Sequence, residues 1–212
     1  MDGPMMTTSN GVHFQESIQE QPLFGGAIRC TFPLRFKDVS IIREVPNNQE
    51  VFADLNRDES IIVELLEMKH EVSNQESALW FLQDLANEQD ASQDLVVERL
   101  NSIPLNEVPY LSQSTAVTTA VGKMRVSKGR QGAEARNVIQ VYLGNIRLPN
   151  VNTDILITLY EPLVISELSH SAASVGAGET VPAVAAGCLP AAEIFRLILA
   201  TFRVLDWSLF GV

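Results

Sequence analysis

Two β-rich runs separated by one cluster of breakers constrain this chain most. Val138-Ile139-Gln140-Val141-Tyr142-Leu143 and Asp154-Ile155-Leu156-Ile157-Thr158-Leu159-Tyr160 flank Leu148-Pro149-Asn150-Val151-Asn152. β-branched and aromatic residues fit a pleated surface, and a Pro/Asn cluster between such runs predicts a hairpin. A long hairpin exposes an apolar face on each side of its plane, so further strands and covering helices must exist elsewhere in the chain.

Other segments supply them. Ala27 to Phe32 lies between Gly25-Gly26 and Pro33 and reads as a strand. Glu50-Val51-Phe52-Ala53 reads as a short strand after a turn at Asn47-Asn48, and Thr115 to Val126, rich in Thr and Val, as another. Leu95-Val96-Val97 opens an apolar run closed by Pro104. Asp38 to Ile42 fits one helical turn capped by Asp38. Ser73 to Asn87 carries Ala78, Phe81, Leu82 and Leu85 at helical spacing, with Ser73 and Glu76 in a capping-box pattern. A last helix begins near Pro190 and aligns Ile194, Phe195, Ile198, Leu199 and Phe202 on one stripe. Trp207 and Phe210 read as core aromatics, with an exposed partner anchor as the other reading. Ile61 to Glu67 fits a strand or a helix. Strands outnumber helices without regular alternation. The expected class is α+β: one domain over 21–212, an antiparallel sheet and helices packed on its faces. Residues 1–20 are polar and aperiodic and read as a flexible tail, and the Ala/Gly-rich segment 169–187 as a flexible loop.

Composition narrows the function. The 212 residues are 46% hydrophobic and 19% charged, which excludes wholesale disorder. Cys30 and Cys188 are too few for a disulfide scaffold. The first 20 residues lack Lys and Arg, so a secretory or transit signal is not expected. Apolar runs are too short for a membrane-spanning helix, so no membrane insertion is expected. Between Arg43 and Glu107 lie 15 acids and four bases, a net charge of −11, equal to that of the whole chain. From Lys123 to Arg147 six bases face the single Glu134. The acidic third disfavours nucleic acid and suits a basic protein partner, or only a solvated surface.

Chemistry-bearing motifs are absent. His13, His70 and His170 have no metal-ligand spacing, and no cofactor is indicated. Gly122-Lys123 is followed by Met124, not Ser or Thr, and Val117 stands where a phosphate loop begins with Gly. No Ser occupies a G-x-S-x-G elbow. No motif points to a nucleophile or a metal, while the 26 acids leave carboxylate pairs for acid–base work open.

Four ordered segments and the C-terminal Leu209-Phe210 resemble the Ran guanine nucleotide release factor family. They are Pro22 to Ile28, Arg43-Glu44-Val45-Pro46-Asn47-Asn48-Gln49-Glu50-Val51-Phe52, Glu59 to Glu67, and Ile146-Arg147-Leu148-Pro149 with Thr153 to Thr158. The resemblance implies an α/β sandwich: a mostly antiparallel, roughly six-stranded sheet flanked by helices, similar to the extrinsic lumenal protein of photosystem II. It turns Ile61–Leu66 toward strand. It implies a non-enzymatic protein of nucleus and cytoplasm that binds the GTPase Ran, promotes nucleotide release and supports nuclear protein import, and a monomer is expected. A trafficking or scaffold adaptor of the same fold, with weak or no Ran binding, is the alternative. The Ran contact implied by the family centres on Asn47 and Glu50. Asn47 replaces an acid common in the family. Glu44, Asp54, Asp58 and Glu59 are candidate members of the same acidic patch.

Overall fold

The computed structural model describes residues 6–7, 13–14, 16–112, 115–127 and 132–211. Lys128 and Arg130 of the basic run and most of 1–15 lie outside them. Strand β1 spans Ile18–Leu23 and β2 Ile28–Pro33, followed by the two-residue β3 (Lys37–Asp38). β4 (Gln49–Asp54) and β5 (Glu59–Glu67) form a hairpin, and α1 follows at Ser77–Glu88. β6 (Val96–Ser102), β7 (Ala116–Ser127), β8 (Arg136–Leu148) and β9 (Thr153–Ile165) come next. The two-residue β10 (Gly178–Glu179), α2 (Ala191–Thr201) and β11 (Arg203–Val204) close the chain.

The main sheet runs β3-β4-β5-β9-β8-β7-β6 and is antiparallel at every pairing, with β10 added beside the far end of β9. β3 and β10 are two-residue fragments, so six strands carry the sheet, as the family resemblance implies. A second sheet orders β11-β2-β1.

The β8–β9 hairpin is the spine. Its register runs from Leu148↔Thr153 to Val138↔Val164. Pro149–Val151 form a 3-10 turn, and Asn152 closes it with φ 51°, a left-handed conformation that Asn tolerates better than most residues. Side chains alternate across the hairpin. Val141 and Leu143 enter a core with Phe81 and Leu82 of α1; Ile146, Ile155, Ile157 and Leu159 enter the other core with Phe195 and Ile198 of α2. Leu23, Ile28, Cys30 and Phe32 of the small sheet close that second core. Helices therefore cover both faces.

Gly144 on β8 lets α2 approach. A Cβ there would stand 3.2 Å from Phe195 Cζ and 3.3 Å from Leu199 Cδ2. Overpacking of this kind costs about 1–3 kcal/mol. Gly144→Val is expected to lower the thermal midpoint by roughly 2–12 °C, read by circular dichroism. An unchanged midpoint would show that α2 moves away at no cost.

Four local expectations shift. β1 begins at Ile18, inside the segment expected to be tail, and Glu16 is ion-paired to Arg35. Asp38 does not cap a helix: its Oδ1 accepts from Ser40 N in a turn after β3. The Ser73–Glu76 pair forms, with Ser73 Oγ donating to Glu76 Oε2 at 2.7 Å, but α1 proper starts at Ser77. The segment 169–187 holds a one-turn helix (Ala172–Val175), β10 and a 3-10 turn.

Candidate functional site

The loop between β3 and β4 projects from one edge of the main sheet. Gln49 N donates to Pro46 O at 2.9 Å, which closes the Pro46–Gln49 turn. Leu65 N donates to Asn48 O at 2.9 Å and Asn48 Nδ2 to Leu65 O at 3.2 Å, so Asn48 fastens the turn to β5. Asn47 and Glu44 stand exposed on this fixed loop.

Glu50, the second residue of β4, faces the small sheet, on the same side as Val63, Phe52 and Ile61. Phe24 N donates to its Oε1 at 2.6 Å. That bond ties the loop to the turn between β1 and β2, where Phe24, Gly25 and Gly26 all have positive φ (49°, 66° and 93°). Two glycines take such angles freely; Phe24 does so at a cost. Burial pushes the Glu50 carboxyl above its ordinary range, the Phe24 N–H opposes that rise, and the nearby Asp38 carboxylate adds to it. Oε2 accepts no hydrogen bond from the described residues, and so stays available to a partner.

Asp54 and Glu59 serve a different purpose. They pair at the far end of the β4–β5 hairpin, 3% and 1% exposed. Arg35 Nη1 lies 2.7 Å from Asp54 Oδ2 and 2.5 Å from Glu59 Oε2, and its Nε lies 2.7 Å from Glu16 Oε1. Arg57 Nε reaches Glu59 Oε1 at 2.8 Å. Burial works against the Arg35 charge, but these carboxylates more than offset it and hold the guanidinium firmly protonated. Acids so enclosed anchor β4–β5 to the N-terminal segment and present nothing to an outside surface. Asp58 sits in the hairpin turn with φ 57°, half-buried. Glu50 and Asp54 stand four positions apart along the strand, about 13 Å at 3.3 Å per step. Of the six sequence candidates, Glu44, Asn47 and Glu50 therefore share one edge, while Asp54, Asp58 and Glu59 share the other end of the hairpin.

The structure adds residues to the first group. Asp38 neighbours Glu50 across β3 and β4. Ile41 and Ile42, 79% and 71% exposed, precede Glu44 in the same loop. Apolar side chains this open, next to acids, suit a partner surface better than water. Their sequence signal was an apolar pair in a segment otherwise without periodicity. Trp207, expected in the core, is 41% exposed and packs on Phe210.

The fourth family segment is a structural staple. Arg147 Nε donates to Asp154 Oδ1 at 2.9 Å inside the fold, and Arg147 also reaches Val72 O at 2.6 Å and Lys69 O at 3.1 Å. Asp154 Oδ2 accepts from Lys69 N at 2.9 Å. The pair fastens the 68–74 connection to the β8–β9 hairpin. Elsewhere in the basic run, Lys123 pairs with Glu98 and Arg136 with Asp94. Among the described residues no three His, Cys, Asp or Glu side chains converge as a metal site requires.

Residues 21–162 match the family model described as Ran-interacting Mog1 protein. The Ran guanine nucleotide release factor of Danio rerio is 36% identical over 193 residues, covering 90% of this chain and 99% of that protein. The nuclear import protein mog1 of Schizosaccharomyces pombe is 33% identical over 144 residues, 66% of this chain and 75% of that protein. The crystal structure of the Saccharomyces cerevisiae Ran-binding protein Mog1p superposes with a TM-score of 0.64 at 25% identity, over 92% of this chain and 99% of that one.

Proposed function

This chain belongs to the Ran-interacting Mog1 family, and from that membership we propose that it binds the GTPase Ran, promotes guanine nucleotide release and supports nuclear protein import. The observation that carries this is a match to relatives named for Ran release along nearly their whole length, together with a family match over 21–162 that includes the loop and strand bearing Glu44, Asn47 and Glu50. We place the Ran contact on that edge, with Asp38 supplying further negative charge and Ile41 and Ile42 supplying apolar anchors.

No covalent step is required of the protein. A factor that binds the nucleotide-free GTPase more tightly than the loaded one lowers nucleotide affinity by the same ratio. An acidic edge favours that role by attracting a basic patch on the GTPase at long range. The factor acts as a monomer of a single Ran-binding domain, in nucleus and cytoplasm, without entering a membrane or binding nucleic acid. The test is retention of purified Ran, nucleotide-free and loaded, on the immobilised protein. Tighter retention of the nucleotide-free form is expected. Absence of retention in both states would defeat the proposal.

Asn47 gives a finer check. It is exposed where an added carboxylate meets no buried group. A carboxylate makes a charge-assisted bond roughly twice as strong as a neutral one, yet an exposed pair yields only about 0.2–1 kcal/mol. Asn47→Asp is expected to tighten Ran binding up to about fivefold at low salt, with the gain fading as salt rises. Titration against nucleotide-free Ran reads it. A weaker complex would mean that position 47 only shapes the turn.

A further inference from the structure

The two faces of the main sheet are covered unequally. α2 and the small sheet cover one face. On the other, α1 packs over β7 and β8. The same face of β5 and β9 lies at the margin of α1: Leu156 is buried against the helix, while Ile62, Leu66 and Tyr160 are only half-buried. A cavity of about 420 Å³ lies there between α1 and the strands, and a second of about 660 Å³ adjoins it, both lined by Ile62, Glu88, Gln89 and Tyr160.

The floor is apolar and incompletely buried. Ile62 and Leu66 of β5, Leu85 of α1 and Tyr160 of β9 are all only half-buried. Its walls are acidic. Asp84 and Glu88, one helical turn apart on α1, line one side, and Glu64 and Glu67 of β5 line the other. Among the described residues Glu64 accepts only from Gln49 Nε2 and Glu67 only from Asn152 Nδ2, and none of the four acids is ion-paired. Lys69, the one basic residue lining this cavity among the described residues, has its ammonium 5.5 Å from the centre of the Trp80 ring.

Four uncompensated carboxylates beside a half-buried apolar floor complement a cationic, amphipathic ligand. The vacant place lies beside a helix on a sheet face, so a second helix fits the layer. We propose that this groove docks a basic amphipathic helix from a partner protein, its apolar stripe on Ile62, Leu66 and Tyr160 and its Lys or Arg residues against Glu64, Asp84 and Glu88. A helix laid into an apolar groove with flanking charges is a common recognition mode. The site is separate from the Ran-facing edge: Glu50 points to the opposite face of the sheet from Glu64.

The probe is a fluorescein-labelled synthetic helix with leucines at one-turn spacing and lysines elsewhere, titrated against the whole protein by anisotropy. Saturable one-to-one binding is expected. The double variant Glu64→Ala/Glu88→Ala is expected to weaken it about fivefold to tenfold, as two exposed charge pairs imply. Ile62→Gln is expected to weaken it severalfold. The exposed acids Glu167 and Glu179 lie outside the groove, and Glu167→Ala/Glu179→Ala is expected to leave binding unchanged. Amide shifts of the unmutated protein are expected to cluster on α1, β5 and β9, which keeps the test independent of whether a variant folds. Equal weakening by the two double variants, shifts scattered over the surface, or no saturation would each overturn the proposal. No Ran enters the measurement, so its outcome stands apart from that of the Ran test.

Discussion

Replacing Asp154 with alanine lowers the thermal midpoint by roughly 6–20 °C, the largest stability effect expected of a single polar substitution here. Asp154 is fully buried and Arg147 nearly so. The carboxylate accepts from Arg147 Nε at 2.9 Å, from Arg147 Nη2 and Asn145 Nδ2 at 3.1 Å, and from Lys69 N at 2.9 Å. Without it the guanidinium keeps carbonyl acceptors at Val72 and Lys69 but no counter-charge. Breaking a buried pair by removing one partner costs about 3–5 kcal/mol, because the other charge stays desolvated. Removing both charges is milder. Arg147→Met/Asp154→Leu leaves the Lys69 N–H unpaired but buries no lone charge, and is expected to unfold above Asp154→Ala. Calorimetry of the single and double variants decides it. A double variant less stable than the single would mean that the pair itself, not the stranded arginine, holds the 68–74 connection.

What could be read in advance follows from how local each signal is. The β8–β9 hairpin and α2 are specified by neighbours in sequence: β-branched runs about a Pro/Asn turn, and an apolar stripe at helical spacing. β1 escaped because Ile18-Gln19-Glu20-Gln21 is polar. Its strand conformation depends on pairing with β2, and Glu20 is matched there by Arg29 and Arg203. Asp54 and Glu59 looked like members of a solvated acidic patch because composition treats every carboxylate alike. Only the fold brings Arg35 and Glu16 to them, across long loops, and turns surface charge into an internal network. Family resemblance singled out Asn47 and Glu50, and the fold sets both at one edge of the main sheet. Its coupling to the Phe24 turn was not, since that bond spans 26 residues.

That coupling shapes the second large effect, on Ran binding. Glu50 holds the Phe24 N–H with one oxygen and leaves the other without a hydrogen bond from the described residues. Glu50→Gln keeps an acceptor for Phe24 and removes the charge. Glu50→Lys removes both and adds repulsion. Loss of a close charge pair at an interface costs about 2–5 kcal/mol, so both variants are expected to bind Ran at least about 30-fold more weakly. Stability separates them. Glu50→Gln should unfold within a few degrees of wild type. Glu50→Lys leaves a partly buried N–H unmatched, a cost of about 1–3 kcal/mol, or roughly 2–12 °C. The pH response gives the sign of the charge term. A carboxyl whose folded pKa lies above its unfolded value binds its proton more tightly in the native state. Its contribution therefore favours folding at acid pH, and that advantage fades as pH rises through the unfolded and then the folded pKa. Glu50→Gln removes this slope, so near neutral pH it should gain stability relative to wild type, compared with the same pair at acid pH. Binding titrations with nucleotide-free Ran and thermal scans across that range read both effects. If Glu50→Gln binds Ran like wild type while Glu50→Lys fails and melts early, Glu50 serves the Phe24 turn alone, and the charge that meets Ran belongs to Glu44 or Asp38.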